Sequence, residues 1–183
     1  MMQFPKPYAD IVARLRVPSG FLIALVFAWL SRPSAAAILG GVPIALAGLA
    51  LRGWAAGCLD KNRRLSTGGP YAYTRNPLYL GTLLVAAGLA IAARSPWLAL
   101  VFACVFLFVY LPVIQLEEQH LRELFPEYQA YAARVSALWP SVTSDPQSQP
   151  APFRWRLYMQ NQEYQAGGGF AIGLLYLLWR LPR

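Results

Sequence analysis

Two stretches of the chain hold most of the residues able to do chemistry, and neither reads as a plain connector. The first is Asp60-Lys61-Asn62-Arg63-Arg64-Leu65-Ser66-Thr67-Gly68-Gly69-Pro70-Tyr71-Ala72-Tyr73-Thr74-Arg75-Asn76-Pro77-Leu78-Tyr79-Leu80-Gly81. Helix-to-helix connections usually take roughly 2–8 residues, so this one is long for its task. Its glycines permit close backbone approach to a ligand. Pro70 and Pro77 fix the direction of the chain, and Asn76 precedes a proline where a helix should begin. Tyr71, Tyr73 and Tyr79 could stack on a base or cage a cation. An aromatic belt among basic residues at a membrane surface has the same composition, so residue type alone leaves both readings open.

The second stretch runs from Glu117-Glu118-Gln119-His120 through Phe125-Pro126-Glu127-Tyr128 to Tyr131 and Arg134. Two adjacent carboxylates follow an apolar run, a position where ionisable groups are functional candidates. Leu121, Leu124, Phe125, Tyr128, Tyr131, Val135 and Leu138 keep helical spacing, and Pro126 should start a second short helix. Glu118 and Arg122 are spaced to pair, while Glu123 and Glu127 read as solvated. His120 shares a face with Glu117 and Leu124; it is a candidate base, with a surface histidine the simpler reading.

The elements that must position these stretches are apolar. Of 183 residues, 57% are hydrophobic and 13% charged, about half the charged share of a soluble domain. A soluble chain of this length cannot hide so much apolar surface. The pattern predicts an all-α, multi-pass transmembrane bundle of four to five spans in a single domain over 1–183. Its core motif region is 48–140 and its C-terminal helical segment 153–183. The spans are expected at 17–31, 35–56, 78–93, 97–116 (kinked at Pro112) and, with only 13 residues, 167–179. Residues 4–16 read as an interfacial amphipathic helix. A cleavable leader is disfavoured, because Arg32-Pro33 interrupts the first run and apolar residues resume at once. Gly53-x-x-x-Gly57 offers a small-residue packing face, and 140–152 reads as an irregular Pro/Ser/Gln-rich linker.

Lys6, Arg14, Arg16, Arg52, Lys61, Arg63, Arg64, Arg75, Arg122, Arg134, Arg154 and Arg156 fall on one side of such a bundle; Arg32 and Arg94 fall on the other. The N-terminus and both chemical stretches are therefore expected at the cytoplasmic face. The net charge of +8 fits membrane lipids better than nucleic acid, since no recognition motif accompanies it. One histidine and two well-separated cysteines (Cys58 and Cys104) make no metal site.

Gly69-Pro70-Tyr71, Arg75-Asn76-Pro77-Leu78-Tyr79-Leu80-Gly81, Glu117-Glu118, Phe125, Tyr128, Tyr131, Arg134 and Pro140, in that order, resemble the integral membrane methyltransferases that include isoprenylcysteine carboxyl methyltransferases and phosphatidylethanolamine N-methyltransferases. The resemblance covers about residues 48–140. Asn76 stands where that family usually has His, Pro126 replaces a Gly, and no Gly-x-Gly occurs in 35–57. Related membrane reductases share part of the motif, but sterol-type members often carry an acidic residue where Thr82 stands.

The resemblance implies S-adenosyl-L-methionine as cofactor, in a cytoplasmic-face pocket between the two stretches, and a lipid-like acceptor: a prenylcysteine carboxylate, a phospholipid amine or another hydrophobic small molecule. It implies that Glu117 and Glu118 receive the cofactor's ammonium or ribose hydroxyls. Arg75 and Arg134 would bind carboxylates beside Glu118 at the reacting centre, and Tyr71, Asn76, Pro77, Tyr79, Tyr128 and Tyr131 would shape the pocket. The alternatives are an NADPH-dependent membrane reductase and a non-catalytic membrane partner protein.

Overall fold

The computed structural model describes residues 20–182 together with Pro5 and Tyr8. The expected amphipathic helix over 4–16 thus lies outside the described residues. Among those described, the regular structure is entirely helical. It comprises α1 (Gly20–Leu30), α2 (Ala35–Cys58), a 3-10 turn (Gly69–Ala72), α3 (Pro77–Ala92), α4 (Pro96–Leu124), α5 (Tyr128–Arg134), α6 (Trp155–Gln160) and α7 (Tyr164–Trp179). Two helices, α2 with 24 residues and α4 with 29, are long and apolar enough to cross a membrane; α1 and α3 are shorter apolar helices. That is fewer than the four to five spans expected. Only 22% and 28% of the apolar windows of α2 and α4 are buried within the protein, too little for core helices of a soluble domain.

Ser34 caps α2 by accepting from the Ala37 N–H, and Ser95 caps α4 by accepting from Leu98 N–H. Pro77 and Pro96 occupy first helical positions, where the missing N–H is harmless. α2 and α3 then pack antiparallel along a glycine seam. Gly41 faces Gly88 and Gly48 faces Gly81; a Cβ built on Gly48 would sit 2.6 Å from the Gly81 carbonyl oxygen, and one on Gly88 2.5 Å from that of Gly41. Seven-residue spacing on each strand of the seam keeps the glycines in register. The anticipated Gly53/Gly57 pair serves another purpose: the ring of Phe153 rests where a Gly57 side chain would be, and Tyr158 lies beside Gly53.

Pro112 does not interrupt α4. The helix widens into a π-helical stretch at Phe106–Tyr110 just before it, and continues to Leu124. Pro112 has no N–H for the Phe108 carbonyl, and the Tyr8 hydroxyl donates to that oxygen at 2.8 Å. α7 runs back across the bundle, from Glu163 beside Arg52 to Tyr176, whose hydroxyl donates to the Ala28 carbonyl at 2.6 Å. Phe27, Ile38, Ala92, Leu98 and Leu177 fill the end away from the two chemical stretches. Tyr79, Phe106, Val113 and Ile114 pack beneath them at the opposite end.

Candidate functional site

The polar loop after α2 closes on itself through backbone geometry. Gly69 has φ +60, which only glycine adopts cheaply, and Pro70 opens the 3-10 turn. The segment 140–152 straps over this turn. Ser141 N–H donates to Tyr73 O and Asp145 N–H to Ala72 O, each at 2.9 Å. The Gln149 carbonyl presses on Gly68, within what would be contact distance of a side chain there. Gly68 is small because of the strap, so the linker read as irregular is a structural clamp.

Asn76 occupies the N-cap position of α3 without capping it. Its amide donates instead to the Ala137 carbonyl at 3.0 Å and to Glu118 Oε1 at 3.4 Å. The two hydrogens of one amide nitrogen thus serve two acceptors, a division that a single ring N–H cannot make. Beside it, Arg75 makes four side-chain hydrogen bonds: Nε and Nη2 to Glu118 Oε1 at 3.1 and 2.8 Å, and Nη1 to the Ala132 and Val135 carbonyls at 2.8 and 2.7 Å. Its backbone N–H donates to Ser136 O at 2.8 Å. One of its five side-chain N–H groups remains for a ligand. Arg122 approaches Glu118 from one turn away at 4.0 Å, a weaker partner than Arg75.

The structure separates the twin glutamates. Glu118 is 6% exposed and sits behind Arg75, whereas Glu117 lines a cavity of about 610 Å³ and has no ion-pair partner among the described residues. Such a volume suits a nucleotide-sized ligand. Arg75, Tyr71, Tyr79, Tyr128 and Tyr131 join Glu117 in the lining, with Leu65, Leu78, Val113, Leu121 and Phe125 supplying apolar walls. Asn76 and Pro77 do not line it; Asn76 instead ties the α3 start to α4 and to the segment after α5. Leu124 is 40% exposed, and α5 begins at Tyr128 rather than at Pro126.

The Tyr131 hydroxyl donates to Tyr71 O at 2.7 Å. The Tyr71 hydroxyl is buried with no hydrogen-bond partner among the described residues, which marks a place for a polar ligand, while the buried Tyr128 hydroxyl faces the Glu118 carboxylate. Burial pushes all three phenols above their usual range, Tyr128 to about 12 with the Glu118 carboxylate adding to the effect. They are hydrogen-bond donors at neutral pH.

Arg134 lies elsewhere. Its guanidinium grips both carboxylate oxygens of Asp145 at 3.0–3.2 Å and does not line the main cavity. Those hydrogen bonds hold the Asp145 carboxyl below its usual range, against the opposing effect of burial. A depressed folded-state pKa stabilises at pH above the ordinary carboxylate value, and the gain is lost as pH falls through the folded value. Proteolysis of 140–152 by an acid-active protease is therefore expected to rise at low pH. In Arg134→Met the onset should move several tenths of a pH unit or more upward.

Three polar lining residues were not foreseen, Arg52, Asn161 and Glu163; His120 also lines the cavity and is exposed, as a surface histidine would be. Arg52 and Glu163 form an ion pair at 2.6 Å across 111 positions of sequence. Only the charge of Arg52 within an apolar run could have pointed to it.

The region 35–128 matches the model of the phospholipid methyltransferase family. The cobalt-zinc-cadmium resistance protein CzcN of Cupriavidus metallidurans is 39% identical over 83 residues, 45% of this chain and 38% of that protein. The nickel-cobalt-cadmium resistance protein NccN of Alcaligenes xylosoxydans xylosoxydans is 32% identical over 154 residues, 76% of this chain and 71% of its own length. The chain thus spans under two-fifths of the first relative. No solved structure matches it. With a family match covering half the chain, and with both chemical stretches converging on one cavity, the chain belongs to the phospholipid methyltransferase family.

Proposed function

We propose that this membrane protein transfers a methyl group from S-adenosyl-L-methionine to an amphiphilic acceptor. The observation that carries the reading is the cavity at which the 60–81 and 117–131 stretches meet, with Glu117 in its lining and without an ion-pair partner among the described residues. The residues fit the cofactor: a carboxylate without an ion-pair partner among the described residues for its ammonium, the remaining Arg75 N–H and the exposed Arg64 for its carboxylate, and the Tyr71 phenol for its hydroxyls or base. When bound, the cofactor supplies an electrophilic methyl on sulfur. The protein's part is alignment and exclusion of water, which the aliphatic and aromatic walls provide.

All five helices α1, α2, α3, α4 and α7 are read as crossing the bilayer. Although 16 residues rise only about 24 Å, exposed tryptophans mark a lipid boundary at each end. Trp29, Trp97 and Trp179 lie at one, and Trp54, Trp139 and Trp155 at the other. The cavity end carries Arg52, Lys61, Arg63, Arg64, Arg75, Arg122, Arg134, Arg154 and Arg156, against Arg32, Arg94 and Arg180 opposite, so it is the cytoplasmic end.

The relatives' names concern resistance to metals. Among the described residues no three His, Cys, Asp or Glu side chains group to hold a metal ion. A part in such resistance would run through a methylated lipid or small molecule.

Isothermal titration of S-adenosylhomocysteine into the solubilised protein is expected to show binding, weakened tenfold or more by Glu117→Gln and by Arg75→Ala. Binding of NADPH in its place would transfer the chain to the reductases; binding of neither, by folded protein, would leave a non-catalytic partner.

A further inference from the structure

Outside the family-matched region, the C-terminal segment brings a second polar group to the cavity. Arg52 lies six residues before the end of α2, about 9 Å deeper in the bundle than the polar loop. Its Nε and Nη2 donate to the two oxygens of Glu163 at 2.6 and 3.0 Å, and Nη1 donates to Thr82 Oγ1 and to the Leu78 carbonyl. Gly81 has no side chain because the Arg52 stem crosses α3 there; a Cβ would sit 2.5 Å from Arg52 Cγ. The last glycine of the sequence motif thus serves this ion pair as well as the seam with Gly48. Asn161 donates its amide hydrogens to the Ala56 and Leu59 carbonyls, both at 2.9 Å, which commits its nitrogen and leaves Oδ1 without a donor among the described residues.

Asn161 and Glu163 both line the cavity. The wall they make is rich in lone pairs: the amide oxygen, and a carboxylate each of whose oxygens takes one N–H from Arg52 and keeps room for another. Its charge is already matched by Arg52. Apart from the one Arg52 N–H that remains uncommitted, a carboxylate head would meet only acceptors there, whereas a group carrying its own hydrogen meets several lone pairs. Glu117 and His120 come from α4 and Arg75 from the α3 start, so the lining joins groups from separate elements that can take different reactants.

We infer that Asn161 and Glu163, fixed by Arg52, form the receiving site for the hydrogen-bond-donating head of an amphiphilic acceptor, and that Glu163 selects against carboxylate heads. This rests on the methyltransferase reading above. The test uses the full chain in phosphatidylcholine nanodiscs, with dodecylamine, dodecyltrimethylammonium or dodecanoate as probes and thermal unfolding followed by tryptophan fluorescence. Dodecylamine should stabilise the protein, while the trimethyl analogue, which has charge but no N–H, and dodecanoate should not. Glu163→Gln should weaken the dodecylamine effect about tenfold and leave S-adenosylhomocysteine affinity within twofold. The double variant Arg52→Met with Glu163→Leu, which removes both charges together, guards against misfolding and should respond as Glu163→Gln does. Equal stabilisation by dodecanoate or by the trimethyl analogue overturns the inference. So does an undiminished dodecylamine effect in both variants, or a tenfold loss of S-adenosylhomocysteine affinity in Glu163→Gln. Absence of S-adenosylhomocysteine binding by the unaltered protein defeats the methyltransferase reading instead, and is read separately from the amine response.

Discussion

Glu118→Ala is expected to destabilise the protein by about 3–5 kcal/mol and to abolish S-adenosylhomocysteine binding. The side chains of Arg75 and Glu118 are only 11% and 8% exposed, so removing the carboxylate strands a buried guanidinium. The loss also spreads. Arg75 ties the end of the polar loop to the Ala132 and Val135 carbonyls, and Asn76 reaches the same Glu118 oxygen. α3, α4 and α5 are therefore held in register by one carboxylate, and the Tyr128 and Tyr131 walls depend on that register. Arg75→Lys should be nearly as harmful, since an ammonium cannot reach the carboxylate and two carbonyls in one plane. Thermal unfolding and ligand titration on the same preparations check both effects. A Glu118→Ala protein of undiminished stability that still binds would show that the pair is dispensable.

The second large effect concerns the glycine seam. Gly48→Ala is expected to cost more than about 2 kcal/mol, because the added carbon would lie 2.6 Å from the Gly81 carbonyl oxygen and 2.8 Å from Val85 N. Backbone atoms cannot rotate aside as a side chain can. Gly40→Ala is the matched control on the same helix. Nothing lies within 4 Å of its new methyl group, so the usual helix preference for alanine should make it neutral or stabilising by up to about 1 kcal/mol. Equal unfolding temperatures for the two variants would mean that the helices separate more easily than their packing implies.

Helix positions were legible because apolar runs announce themselves. The expected 35–56 and 78–93 fall within two residues of the observed α2 and α3. α4 runs eight residues past its expected end at 116, since charge marks where lipid stops and not where a helix stops. The candidate site was legible as far as local motifs carry it, in that Tyr71, Arg75, Tyr79, Glu117, Tyr128 and Tyr131 line one cavity. What escaped was the division of labour between neighbours. Adjacent helical residues point about 100° apart, so Glu117 and Glu118 cannot share a surface, yet their order in the chain does not say which faces inward. Partners far apart in sequence escaped as well. Asp145 lay in a linker whose composition suggests no structure, and Glu163 followed the last recognisable motif.

The seam between α2 and α3 has a consequence for how a bulky molecule gets in and out. Two helices whose backbones touch at Gly41/Gly88 and Gly48/Gly81 can neither roll nor slide without collision, so they behave as one stiff plate. Any doorway from the bilayer must open on the far sides of that plate. There α4 carries its π-helical stretch at Phe106–Tyr110, and α7 has three consecutive glycines, Gly167, Gly168 and Gly169, where an added methyl group would meet nothing within 4 Å. Breathing of the bundle is thereby steered to its outer helices, while the α2–α3 face stays still.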